Sequence, residues 1–165
     1  MSTPHISRIM EVVPEWIDYN GHMNMAFYSA LFDRAADEFY DQIGIGASYA
    51  KTRGFTSYTG EIKIRYLQEL HLGQKLRVHS WLLDHDAKRF HTWQEIHAEN
   101  RAENGAEDGF VAATAETLAL HIDMSGPKVA PFPDDIAAGL DAFAAKHGLP
   151  EMPEGAGRAI GIPRR

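Results

Sequence analysis

Apolar and polar positions alternate with two different periods along this chain. From about Met25 to Ile43, the residues Phe27, Tyr28, Leu31, Phe32, Ala35, Phe39 and Ile43 recur at three- and four-residue spacing. Asp33, Arg34, Asp37, Glu38 and Asp41 take the other side, which predicts one long amphipathic helix. Asn24 suits its N-cap, while Gly44 and Gly46 suit its end. A shorter helix is predicted from Ala47 to Arg53, ahead of Gly54.

A two-residue period follows. Ile62, Ile64 and Tyr66 alternate with Lys63 and Arg65, and Leu76, Val78, Ser80 and Leu82 form the next set. Phe90 to His97 and Phe110 to Ile122 supply two further strands. The breaks at 71–74, 84–87 and 104–109 read as turns short enough to join antiparallel neighbours, so a β meander is expected. Ahead of the long helix, Ile6 to Trp16 reads as a short opening strand that stops at Pro14. After the strands, Pro131-Phe132-Pro133 ends the sheet. A helix from about Asp134 to His147 follows, with Asp134 and Asp135 at the positive end of its dipole.

Residues 1–147 are therefore expected to form one domain. Residues 148–165 form a Pro/Gly-rich tail, expected to be flexible or to lie over a neighbouring subunit. A sheet must bury one face, and one long apolar-striped helix is available to cover it. The expected class is α+β, with a curved antiparallel sheet wrapped around the long helix. A helix packed on an open, unclosed sheet is the alternative.

Composition narrows the function classes. At 165 residues, 44% hydrophobic and 24% charged, the chain has the profile of a soluble globular domain. It has no apolar run of about 18 residues, and its first residues lack the pattern of a secretory signal. The absence of cysteine excludes disulfides, thiolate catalysis and a Cys-ligated zinc, and it is consistent with a cytoplasmic home. A net charge of −7 without Lys/Arg clusters argues against nonspecific nucleic-acid binding. A phosphorylated small ligand needs only a few local cations.

The chemically informative stretch is Trp16-Ile17-Asp18-Tyr19-Asn20-Gly21-His22-Met23-Asn24-Met25-Ala26-Phe27-Tyr28. It sets a carboxylate and an imidazole in a glycine-containing loop just before a helix start. The first N–H groups of a helix lack partners and lie at the positive end of its dipole, so they can hold a developing oxyanion. A carboxylate a few residues upstream can act as nucleophile or as base on a water. The same Asp-x-Asn-Gly string is also turn vocabulary, in which Asp18 merely caps the loop.

The segment resembles the Asp-x-x-Gly-His-(Met/Val)-Asn motif of the hydroxybenzoyl-CoA thioesterase-like branch of the hotdog superfamily. The match covers Asp18, Gly21, His22, Met23 and Asn24, followed by Tyr28 in the helix. The likeness extends through 66–73, the 86–91 hairpin and 112–123. It implies a hotdog fold and acyl-CoA hydrolysis without metal or cofactor, in homodimers or homotetramers with active sites at subunit interfaces. It puts the family's aspartate on Asp18 and its oxyanion amide near Met25, and leaves His22 and Asn24 to orient loop or substrate.

The segments 58–65 and 88–91 also look like the thioesterase domains associated with carnitine breakdown, which act on betainyl-CoA. A trimethylammonium acyl group prefers an aromatic cage or a carboxylate, for which Trp16, Tyr19, Tyr28 and Glu61 are available. Lys88 and Arg89 are the first expected contacts for the CoA phosphates, with Lys63 and Arg65 behind them. A solvated strand face accounts for either pair equally well.

Other chemistries fail at the motif level. The nine histidines include no H-E-x-x-H or H-x-H, so no metal site is expected. Phosphate-cradling glycine loops and a G-x-S-x-G nucleophile elbow are absent. The expected function is hydrolysis of an acyl-CoA thioester, betainyl-CoA or another short acyl group. The rival is a module that binds acyl-CoA without turning it over, and dehydratase chemistry on the same fold is a lesser one.

Overall fold

A computed structural model describes residues 2–99, 109–147 and 151–161. Two short strands, β1 (His5–Ile6) and β2 (Met10–Glu11), precede a turn of 3-10 helix over Pro14–Trp16. Helix α1 spans Met25–Gln42 and α2 spans Ala47–Arg53. Strands β3 (Phe55–Tyr66), β4 (Lys75–His85), β5 (Arg89–Ala98) and β6 (Phe110–Asp123) build the sheet. Strand β7 (Lys128–Val129) and helix α3 (Asp134–His147) follow.

The helices start and stop where local chemistry dictates. Asn24 caps α1, its side chain accepting from the Ala26 amide at 3.0 Å. The chain turns out of α1 at Gly44, where φ is +79°. The apolar stripe of α1 is the core: Leu31, Phe32, Ala35 and Phe39 are fully buried against the inner face of the sheet. Each such Leu or Phe contributes roughly 1.5–3 kcal/mol by leaving water.

Every strand pair is antiparallel, and the sheet order is β1-β4-β5-β6-β3, with β2 also on β4 and β7 on β6. This corrects the expected meander, because β3 and β4, consecutive in sequence, are separated in that order by β5 and β6. The turn at 71–74 does form, with Gln74 N donating to His71 O at 3.1 Å and Gly73 at φ +78°. It belongs to a longer crossover, residues 67–74, that passes the start of α1. There Leu70 O accepts from Met23 N at 2.7 Å and Gln68 O from the Tyr28 hydroxyl at 3.2 Å. Local turn chemistry specifies a reversal but not its partner.

Three smaller differences stand. The opening strand is split into β1 and β2, with Val78 N between them donating to the Ser7 side-chain Oγ at 2.9 Å in place of a backbone carbonyl. Strand β3 begins at Phe55, seven residues before the first clean alternation, because a register shift between Thr59 and Glu61 resets its period. Strand β7 extends the sheet beyond β6, just ahead of Pro131. Of the break at 104–109, all but Gly109 lies outside the described residues.

Residues 151–161 lie against the outer face of their own sheet. Lys63 Nζ donates to Gly155 O and Arg158 O, both at 3.0 Å, and pairs with Glu116 at 2.5 Å. Glu116 Oε1 accepts the Gly157 amide at 2.7 Å and lies 3.0 Å from His91 Nε2.

Candidate active site

The loop before α1 is folded by its own backbone. Ile17 and Met23 form a β-bridge, Asp18 N donates to His22 O at 3.1 Å, and Gly21 N donates to Asp18 O at 3.0 Å. Gly21 sits at φ +83°, a conformation that closes this reversal and that side chains other than glycine rarely adopt. Asn24 N donates to Trp16 O at 2.9 Å, fixing the loop's far end to its beginning.

This geometry ties Asp18 to the helix start. Its Oδ1 accepts the Asn20 amide at 2.8 Å and its Oδ2 accepts Asn24 Nδ2 at 3.2 Å. The same Asn24 side chain caps α1 through its Oδ1. Asn24 is therefore cap and tether at once. Among the described residues no cation pairs with the half-buried Asp18 carboxylate, and no partner engages the Met25 amide. The Met25 side chain is 64% exposed. A carboxylate with spare lone pairs and a free helix-terminal N–H thus flank one capping residue, an arrangement able to polarise a carbonyl and attack it.

His22 touches Asp18 through its backbone oxygen, while its Nε2 lies 3.5 Å from Glu69 Oε1 on the crossover. Tyr28 is buried, its hydroxyl given to Gln68 O and its ring edge-on to Tyr66 at 5.2 Å. Burial, reinforced by Glu69 and Tyr66, pushes its phenol above the ordinary range, so it stays protonated.

The other anticipated contacts lie apart. Glu61 is exposed on β3, just past the register shift. Lys88 and Arg89 are at the β4–β5 hairpin, roughly 30 Å along β4 from the end nearest Asp18. The Arg89 guanidinium is engaged by Asp86, with Nε at 2.8 Å, and that bond holds the Asp86 carboxyl below its ordinary range. Lys63 and Arg65 are turned to the 151–161 segment, Arg65 reaching Glu154 O at 3.3 Å. No cage forms from Trp16, Tyr19 and Tyr28. Trp16 is buried, stacked on Phe27 and covered by the Arg34 guanidinium at 5.2 Å, and Tyr19 is 97% exposed.

Sequence reasoning missed a cleft of about 480 Å³ between the other flank of α1 and the first half of β3. Asp33, Asp37 and Asp41, taken as the solvated side of the helix, line it together with Tyr40. The available signal was three aspartates spaced by four. Burial first, then Asp33 and Asp41, raises the Asp37 carboxyl above its ordinary range, and burial chiefly pushes Tyr40 up to about 12. Among the described residues no three His, Asp or Glu groups converge to hold a metal ion, and no helix is long and apolar enough to cross a membrane.

Comparisons with known proteins identify the family. Residues 12–140 match the model of the thioesterase-like superfamily. The betainyl-CoA thioesterase of Pseudomonas aeruginosa is 35% identical over 152 residues, covering 92% of this chain and 91% of that protein. The L-carnitine dehydrogenase/betainyl-CoA thioesterase of Rhizobium meliloti is 39% identical over 149 residues, covering 90% of this chain but 28% of that longer protein. A hypothetical Staphylococcus aureus protein solved in complex with CoA superposes with a TM-score of 0.84 at 26% identity, covering 99% of this chain and 98% of that one. A 4-hydroxybenzoyl-CoA thioesterase mutant shares the fold, with a TM-score of 0.73 at 10% identity, covering 84% of this chain and 99% of that one. The chain belongs to the thioesterase-like superfamily and has its hotdog fold.

Proposed function

We propose that this protein hydrolyses a short acyl-CoA, with betainyl-CoA the leading substrate, to the free acid and CoA. The thioester oxygen accepts the Met25 N–H, and Asp18 either attacks the carbonyl carbon or takes a proton from an attacking water. The carbon–sulfur bond then breaks and CoA leaves with its thiol protonated. Attack by Asp18 gives an acyl-enzyme anhydride that water cleaves in a second step. Asn24 and His22 hold the loop, and Tyr28 supports it from below.

The observation that carries this reading is the chain from the Asp18 carboxylate through the Asn24 side chain to the Ala26 amide. Likeness to the Pseudomonas aeruginosa enzyme supports the acyl group. In the same reading Lys88 and Glu61 meet substrate held by another subunit, since they stand far from Asp18 in their own. The unpaired edge of β3 supports a homodimer or homotetramer. A cysteine-free chain suits the cytoplasm.

The test is thiol release from a panel of acyl-CoAs that includes betainyl-CoA. Turnover of betainyl-CoA by the native protein, lost in Asp18→Asn with folding and binding retained, is the expected result. Saturable binding with no release from any member would instead make the protein a binding module. Single turnover in heavy-oxygen water separates the two roles of Asp18: label entering the enzyme carboxylate marks covalent attack.

A further inference from the structure

We infer that the acidic cleft between α1 and β3 receives a quaternary-ammonium acyl group, and that it does so for the Asp18–Met25 centre of a second copy of this chain. The inference rests on the hydrolase reading above and names its specificity site.

The cleft's chemistry selects the cation. Asp33, Asp37 and Asp41 recur at four-residue spacing, so their charges are strung along one flank of α1 and do not converge as metal ligands. Tyr40 and Phe32 line the cleft beside them on α1, and Ile62 lines it from β3. A diffuse negative field over aromatic and aliphatic walls suits a large, weakly hydrated cation that has no N–H to donate. Two hydroxyls point independently to a ligand. Ser57 Oγ is buried in this cleft without a partner. Thr117, 5% exposed, also lines it, with no hydrogen bond to its hydroxyl among the described residues. Such oxygens can turn lone pairs toward the polarised methyl groups of a trimethylammonium.

Distance assigns the cleft to the partner. The nitrogen of a betainyl group lies two bonds from its carbonyl carbon, ~2.5 Å away. Along one helix, Asp33 stands about 12 Å and Asp37 about 18 Å from Met25. A carbonyl on the Met25 amide therefore cannot place its ammonium among the aspartates of the same chain. Strand β3, however, is twelve residues long and has no neighbour on its outer edge among the described residues. Helix α1 runs antiparallel to it: Tyr28 meets Tyr66 at one end, while Tyr40 and Asp41 line the cleft with Thr56 and Ser57 at the other. Antiparallel pairing of two β3 edges about a two-fold axis puts the helix start of one copy beside the cleft of the other, on the same face of the joined sheet.

The experiment compares betainyl-CoA with its neutral isostere, tert-butylacetyl-CoA. We expect Asp37→Asn, and in parallel Asp33→Asn, to lower kcat/KM for betainyl-CoA about tenfold or more relative to the isostere. Heterodimers isolated with two tags, one chain carrying Asp18→Asn and the other Asp37→Asn, should recover about half the native betainyl rate. One of their two sites is then wholly native. An unchanged substrate ratio in both folded Asp→Asn variants overturns the subsite, and isolated heterodimers without recovery, or a monomeric native protein, overturn the shared arrangement. Full turnover by Asp18→Asn would instead remove the hydrolase reading itself.

Discussion

Asp18 and Glu116 are both carboxylates withdrawn from water, yet the chain treats them in opposite ways. Glu116, on the outer face of the sheet, is saturated: Lys63, the Gly157 amide and His91 all address it. Asp18, on the loop before α1, receives two neutral donors and no cation among the described residues. A carboxylate matched by an ammonium spends its charge on holding the chain together. One oriented by amides keeps its charge for a substrate. The difference between a clasp and a reactive group is thus visible in the partners, not in the burial.

The largest effect that would break this comparison is on rate. Asp18→Asn should reduce thiol release by about three orders of magnitude, within the range for loss of a positioned base or nucleophile, with the melting temperature nearly unchanged. Glu116→Gln should do the reverse. It leaves Lys63 without its counter-charge and should cost roughly 2–3 kcal/mol in denaturant unfolding, while kcat stays within about twofold. A large loss of turnover in that variant would mean that the outer face and the loop are not separate.

Smaller changes sharpen the contrast. Asn24→Ala removes cap and tether together, so it should cost about 1 kcal/mol and slow turnover about tenfold. Asn24→Ser restores a cap without the amide donor, and should recover the stability but not the rate. Recovery of both would show that Asn24 serves the helix alone. The mildest test is pH. Burial opposes the Glu116 charge, but Lys63, the Gly157 amide and His91 outweigh it and hold the carboxyl below the ordinary glutamate range. Its stabilisation is therefore complete above that range and is lost as pH falls through the lower, folded value. The protection of the Gly157 amide against hydrogen exchange, relative to its intrinsic rate at each pH, should fall in acid before the sheet opens, and Glu116→Gln should abolish that dependence.

The helices were the most legible part of the sequence. The α1 start at Met25, α2 and α3 follow from local period and capping, and the bonds that set Asp18 against Asn24 all fall within ten residues of chain. Sheet order was not legible, because alternation states which face is buried but not which strand lies alongside. The first half of β3 was hidden for a related reason: Phe55 to Gly60 lacks a steady period, and the shift at Gly60 prevents extrapolation back from Ile62. The aspartates of α1 looked like an ordinary wet flank. Only the packing of β3 beside them turns that flank into a cleft.

The crossover at 67–74 has a consequence for how this chain tolerates change in length. Most surface connections accept extra residues cheaply. This one must reach from β3 across to β4, past β5 and β6, while offering Leu70 O to Met23 and Gln68 O to Tyr28. A single inserted residue there would move two anchors of the helix start out of step, whereas the same insertion at the 86–88 hairpin, whose Ala87 O and Lys88 O hold Phe132 N and His121 N, would act at the far end of the sheet and leave the helix start in place.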